Sequence, residues 1–234
     1  MDIDAVGDGN NATGSATSAS WQHVVGSGAV LYAAIIFDDL ADHNPTATWN
    51  TSESMSIIAD VFGHEGETPR VMVVFRLDDP TPATANVVIS WTTAAGYAAS
   101  SISLTGVHST TQNDAPEIAI FGIEGTADPI GPTVAGESGD LVLGFCGINA
   151  PTGTFPTITT SGGTDRALET NAQIALRIST VPSATTVDLA WSTGSAFEDW
   201  SNVGVNVNAS GEAPPPPVTN GPALVSVRSN IRLN

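Results

Sequence analysis

The residues of this chain that could do chemistry are four histidines, His23, His43, His64 and His108, set among many serines and 24 acidic residues. A Ser-His-Asp set needs a serine activated by a histidine that a carboxylate orients, and its members come together only in space. No Gly-x-Ser-x-Gly elbow singles out one serine, and the histidines fall among different turns and strand ends. A pair of carboxylates could run glycoside hydrolysis, with Asp38, Asp39, Glu65, Glu67, Glu198 and Asp199 as the supply. Any strongly acidic surface would show the same residues. The chain is therefore read as a non-enzyme with no catalytic residue.

Hard oxygen ligands suited to Ca²⁺ gather near the start as Asp2, Asp4, Asp8, Asn10 and Asn11. Their spacing misses the EF-hand loop, so a solvated acidic loop is expected there, with no metal and no cofactor. Cys146 is alone, which rules out an intramolecular disulfide and a paired-cysteine metal knuckle. It lies in the apolar run Leu141–Gly147 and reads as a buried small hydrophobe. Three Asn-x-Ser/Thr triplets, at Asn11, Asn50 and Asn208, are expected by chance in a chain so rich in these residues.

The elements that must position these side chains are strands. Asn202–Asn208 alternates valine with asparagine or glycine, the pattern of a half-buried strand. Arg70–Leu77 puts Val71, Val73, Phe75 and Leu77 on one face and both arginines on the other. Further strands are expected at Ser20–Val25, Val30–Phe37, Met55–Phe62, Val87–Thr92, Ser101–Val107, Glu117–Ile123, Asp140–Ile148, Ala172–Ser179 and Val187–Ser192, separated by Gly, Pro, Asn, Asp and Ser clusters. The one helical turn expected lies near Asp38–His43. Short strands at such spacing predict an all-β fold, an antiparallel β-sandwich of jelly-roll type, over residues 1–210.

An internal repeat supports this. Phe75-Arg76-Leu77, a turn at Pro80 and Val87–Thr93 precede a strand ending at Val107; Leu176-Arg177-Ile178, a turn at Pro182 and Val187–Thr193 precede a strand through Val207. Matching Arg76 to Arg177 suggests two equivalent hairpins at the centres of two packed sheets. Trp91 and Trp191 would fill the core. Trp49 and Trp200, each beside polar turn residues, are the better candidates for an exposed sugar-binding platform.

Composition bounds the partners. There is no lysine, and six arginines stand against 24 acids for a net charge of −18, which repels phosphate backbones and argues against nucleic-acid binding. No apolar stretch reaches a membrane span, and the opening Met-Asp-Ile-Asp lacks the pattern of a secretory leader, so a chain that meets no membrane is expected.

Behind a Pro-rich linker, residues 211–217, comes a C-terminal assembly arm, residues 218–234. Four prolines, Pro214–Pro217, favour a stiff extended spacer of about 12 Å. In the arm Val225, Val227, Ile231 and Leu233 fall on one strand face beside Leu224, while Arg228 and Arg232 hold two of the six arginines. These seven residues are the expected partner-binding set, suited to an acidic neighbour with an open strand edge.

Trp21–Gly28 followed by an apolar strand, Ser103–Val107, Gly139–Leu143, Val187–Trp191 and Val203–Val207 resemble a family of β-sandwich proteins encoded by tailed bacteriophages and also found as bacterial surface modules. The resemblance spans roughly Asp2 to Asn208. It implies a structural virion protein, a capsid decoration or cement protein or a head or tail appendage, assembled in the host cytoplasm. Its partners would be copies of itself and other capsid or tail proteins. The reading from another class is a carbohydrate-binding or adhesive β-sandwich module that meets host surface glycans.

Overall fold

The computed structural model describes residues 1–39, 41–61, 72–122, 130–149, 155–183, 185–192 and 199–211. Arg70, Val71, Phe62, Ile123, His64, Glu65, Glu67, Glu198, linker residues 212–217 and the arm residues Leu224, Val225, Val227, Arg228, Ile231, Arg232 and Leu233 lie outside the described residues. The elements are β1 (Asp2–Val6), β2 (Asn10–Val25), β3 (Ala29–Phe37), β4 (Thr46–Trp49), β5 (Glu53–Val61), β6 (Met72–Asp78), β7 (Ala83–Thr105) and β8 (Glu117–Gly122). They continue as β9 (Ile130–Ala135), β10 (Leu141–Asn149), β11 (Thr157–Ile158), β12 (Thr164–Thr170), β13 (Ile174–Pro182), β14 (Thr186–Ser192) and β15 (Asp199–Val207). The fold is all-β, and every pairing of named strands is antiparallel.

β7 organises the first half. Its C-terminal part pairs with β3 and its N-terminal part with β4, so β7, β3, β6, β5 and β4 close a five-strand ring. Between the two parts, residues 91–94 stand opposite Thr17 of β2 alone. Such a bulge bends a strand, and here it carries β7 from one layer to the other. The two strands expected at Val87–Thr92 and Ser101–Val107 are thus one element.

The duplication runs deeper than two hairpins. In the first half the order β1, β7 (C-terminal part), β3, β6, β5 is matched in the second by β8, β15, β10, β13, β12; likewise β2, β7 (N-terminal part), β4 is matched by β9, β14, β11. Eight-strand units of one topology therefore occur twice. The expected hairpins are not hairpins: β6 pairs with β3 and β5 and the N-terminal part of β7 with β2 and β4, so the Pro80 turn crosses between layers, as the Pro182 turn does between β13 and β14.

The Arg76–Arg177 match also fails. Arg76 stands opposite Tyr32, which belongs to the apolar layer between the halves, whereas Arg177 stands opposite Cys146, inside the second half. A one-residue slip in a strand moves every side chain to the other face. On facing grounds Phe75, not Arg76, corresponds to Arg177.

Three apolar layers follow. The ring is filled by alternate residues of β3, Leu31, Ala33, Ile35 and Phe37, with Phe75, Ile89, Trp49 and Trp91. The intervening residues Tyr32, Ala34 and Ile36 pack with Met72, Val74 and Ile102 against Leu143, Phe145, Leu176, Ile178, Val203 and Val205 of the second half. Trp191, Leu189, Val142, Cys146 and Trp200 fill the far layer. β3 is buried on both faces, which is why Ala29–Phe37 is uniformly apolar. Glycines make room for the rings: a Cβ at Gly144 would sit 2.8 Å from the Trp191 ring.

No helix forms at Asp38–His43 among the described residues. Asp38 and Asp39 instead take up backbone N–H groups, Gly96 at 2.9 Å and Ala41 at 3.1 Å, the local side-chain bonding that competes with helix.

Candidate functional site

Among the described residues, chemistry-bearing side chains converge in buried polar networks, of which two gather the most polar groups. The first joins β1, β2 and β7 inside the first half. The Trp21 indole N–H donates to Ser101 Oγ at 2.8 Å, Ser101 Oγ lies 2.9 Å from His23 Nδ1, His23 Nε2 lies 3.0 Å from Ser103 Oγ, and Ser103 Oγ donates to Asp4 Oδ2 at 2.8 Å. Gly26 N–H also donates to Asp4 Oδ2, at 2.8 Å. One direction of donors satisfies the whole chain if His23 is neutral with its proton on Nε2. Burial favours that state and lowers the His23 pKa to about 4 against the weaker opposing pull of Asp4 and Asp8.

Serine, histidine and aspartate do meet here, but not as a triad. The carboxylate bonds a serine rather than the imidazole, and His23 is 1% exposed. A nucleophile must reach a substrate and a triad aspartate must orient the histidine. Gly7 closes the network from above, since a Cβ there would meet Ser101 Oγ, His23 and Trp21. The expected acidic loop is likewise dispersed: Asp4 serves this network, Asn10 bonds the Ser20 carbonyl and the Tyr97 hydroxyl, and Asn11 donates to Glu169.

The second network lies where the halves are joined. Asn206 Nδ2 faces Asp140 Oδ2 at 2.7 Å, Asn208 Oδ1 at 3.0 Å and Asp114 Oδ2 at 3.2 Å. Asp140 also accepts from Ala209 N–H at 2.9 Å and Glu137 N–H at 3.0 Å. Sequence reading placed the asparagine face of this strand toward solvent, yet Asn206 and Asn208 are 1% and 7% exposed. A signal was available: asparagine is depleted in strands, so a run of it at alternate positions marks a specific use.

Other candidates among the described residues lie as follows. His43 is buried, stacked on Phe37, with Nε2 2.6 Å from Asp39 and Nδ1 2.9 Å from the Thr93 carbonyl. Trp91 and Trp191 are core as expected, but Trp49 and Trp200 are also buried, at 0% and 5% exposure, and offer no ring face to a sugar. Cys146 is fully buried and desolvation pushes its thiol well above the ordinary range, as an inert cysteine requires. A recess of about 260 Å³, lined by Gly28, Val30, Asp79, Val107, His108 and Gln112, is smaller than the 300–1,000 Å³ usual for ligand pockets.

Comparison with family models, with curated proteins and with solved structures finds no match to this chain.

Proposed function

We propose that the protein is a structural subunit of a tailed-bacteriophage particle, a capsid decoration protein or a head or tail appendage, which assembles with copies of itself and with other virion proteins. Each half reads as a small jelly-roll-like antiparallel sandwich, the first closed on one side into a ring. The observation that carries the proposal is the inward use of reactive and aromatic side chains. All five tryptophans are buried, and His23 and His43 are wired into internal networks. Among the described residues, a body so arranged turns these rings inward and leaves a polar, acidic exterior and strand edges for partners.

The edge strands of the described residues supply the joints. β8 and β12 end the five-stranded sheet, and β9 and β11 end the three-stranded one. An unpaired edge is a hazard in a monomer and a docking surface in an assembly. Residues 218–234 of a neighbour would pair there, with Arg228 and Arg232 drawn to a body that carries most of the chain's acids. The burial of Trp49 and Trp200 removes the feature on which the carbohydrate-binding reading rested. The test is the location of the protein: antibody labelling of intact particles should decorate their surface, and particles that lack it throughout would overturn the proposal.

A further inference from the structure

We propose that the recess beside the connection between the halves takes an arginine of a second copy's C-terminal arm, two copies exchanging arms reciprocally; this deepens the assembly role proposed above and rests on it. The recess, of about 260 Å³, is walled by Gly28 and Val30 around the start of β3, by Asp79 after β6, and by Val107, His108 and Gln112 of the segment from β7 to β8. That is room for one long side chain rather than for a free ligand. The walls hold their shape without an occupant. His108 Nδ1 accepts the Thr110 and Thr111 N–H groups at 3.3 and 3.2 Å, and Asn208 N–H donates to the Gln112 carbonyl at 2.9 Å. On the other side a Cβ at Gly28 would meet nothing within 4 Å.

The lining combines an apolar floor with one uncommitted charge. Val30 is buried and Val107 half-buried, whereas Asp79 is exposed and has no hydrogen-bond or ion-pair partner among the described residues. The neighbouring carboxylate of Asp78 is already taken by Arg76, at 2.8 and 2.9 Å. A methylene stem that lies on apolar surface and a guanidinium that forks onto a carboxylate match such a lining. The described arginines are engaged elsewhere: Arg76 by Asp78, Arg166 by the Thr180 hydroxyl and Arg177 by the Pro156 carbonyl. The arm brings two more, Arg228 and Arg232, and no acid.

The described chain ends beside this recess. Ser210 N–H donates to the Gly106 carbonyl at 2.7 Å, His108 N–H donates to the Asn208 carbonyl at 2.8 Å, and Val107 bridges to Ala209. The arm follows behind Pro214–Pro217, a run that favours a stiff extension of about 12 Å and so carries it away from its own recess. An exit and a receptor at one place suit a two-fold pair, in which each copy sends an arm to the other and receives one at the same spot. The wall from Val107 to Gln112 leads on into β8, so the recess continues an edge to which a strand of the arm would add.

Sedimentation equilibrium of the full chain in 0.15 M NaCl tests this, and the parent should form dimers. An exposed ion pair is worth up to about fivefold in affinity and would occur twice in each dimer. Asp79→Asn, which keeps a residue that tolerates the φ of 48° there, should therefore weaken association about tenfold. Asp188→Asn, the same loss of charge at an exposed position of β14, should not weaken it. Ser109→Trp, at an exposed position that also lines the recess, should block entry and weaken association at least tenfold. In a chain carrying Arg228→Gln and Arg232→Gln together, Asp79→Asn should have no further effect. Dimers that Asp79→Asn and Ser109→Trp both leave unchanged overturn the recess as the receptor while the arm still acts at another edge. An Asp79→Asn effect that persists without the two arginines overturns it too. A parent chain that stays monomeric overturns the assembly role itself.

Discussion

Acid should weaken this protein through His23. Its ring is held neutral in the fold with a pKa of about 4, against an ordinary value of 6.5. An unfolded chain therefore binds a proton over this window that the folded chain refuses, so stability is complete above pH 6.5 and is lost as pH falls toward 4. The difference corresponds to about 3 kcal/mol, at roughly 1.4 kcal/mol per tenfold change in proton affinity. That is a large share of the 5–15 kcal/mol typical of a domain. Glu169 and Asp60 act the other way: burial raises both carboxyls, so the folded state gains as pH falls through their folded values. Urea unfolding followed by tryptophan fluorescence at half-unit steps from pH 7.0 to 4.5 should therefore be run on the parent and on His23→Gln, which keeps a hydrogen-bond donor without a titrating ring. The variant should be less stable at pH 7, and it should lose less stability than the parent on acidification. Parallel lines for the two chains across the window would refute the buried neutral state of His23.

Three further changes follow from packing and backbone. Trp191→Ala removes a ring 1% exposed that fills the far apolar layer, and should cost about 3–5 kcal/mol in chemical denaturation. Gly144→Val thrusts a side chain onto that ring, whose edge lies 2.8 Å from where a Cβ would stand, and should lower stability by about 1–3 kcal/mol. Thr51 holds a φ of 66° in the turn between β4 and β5, a left-handed conformation that strains a β-branched residue. Thr51→Gly should stabilise the protein by up to about 1 kcal/mol, read as a higher melting temperature.

Much of the architecture was legible because burial leaves a period. Val203, Val205 and Val207 alternate in β15, and the unbroken apolar run of β3 reflects burial on both faces. Short elements left no such mark: β4 and β11 are too brief, and β1 is an edge strand with acids along it. Facing was harder than location. Arg76 and Arg177 occupy similar places in the sequence, yet a one-residue shift sends them to opposite faces, and only the cross-strand partners Tyr32 and Cys146 reveal it. Trp49 misled because polar neighbours at the turn said nothing about the direction of its ring. The buried networks were out of reach altogether, since Asp4 and Ser103 lie 99 residues apart and Asn206 and Asp114 92.

On the proposed function, this body assembles through residues 218–234. Light scattering of the full chain and of a chain ending at Pro217, at matched concentrations in 0.15 M NaCl, measures it most directly. The full chain should form oligomers while the shortened one stays a folded monomer with an unchanged melting temperature. Equal masses for the two chains would contradict the account.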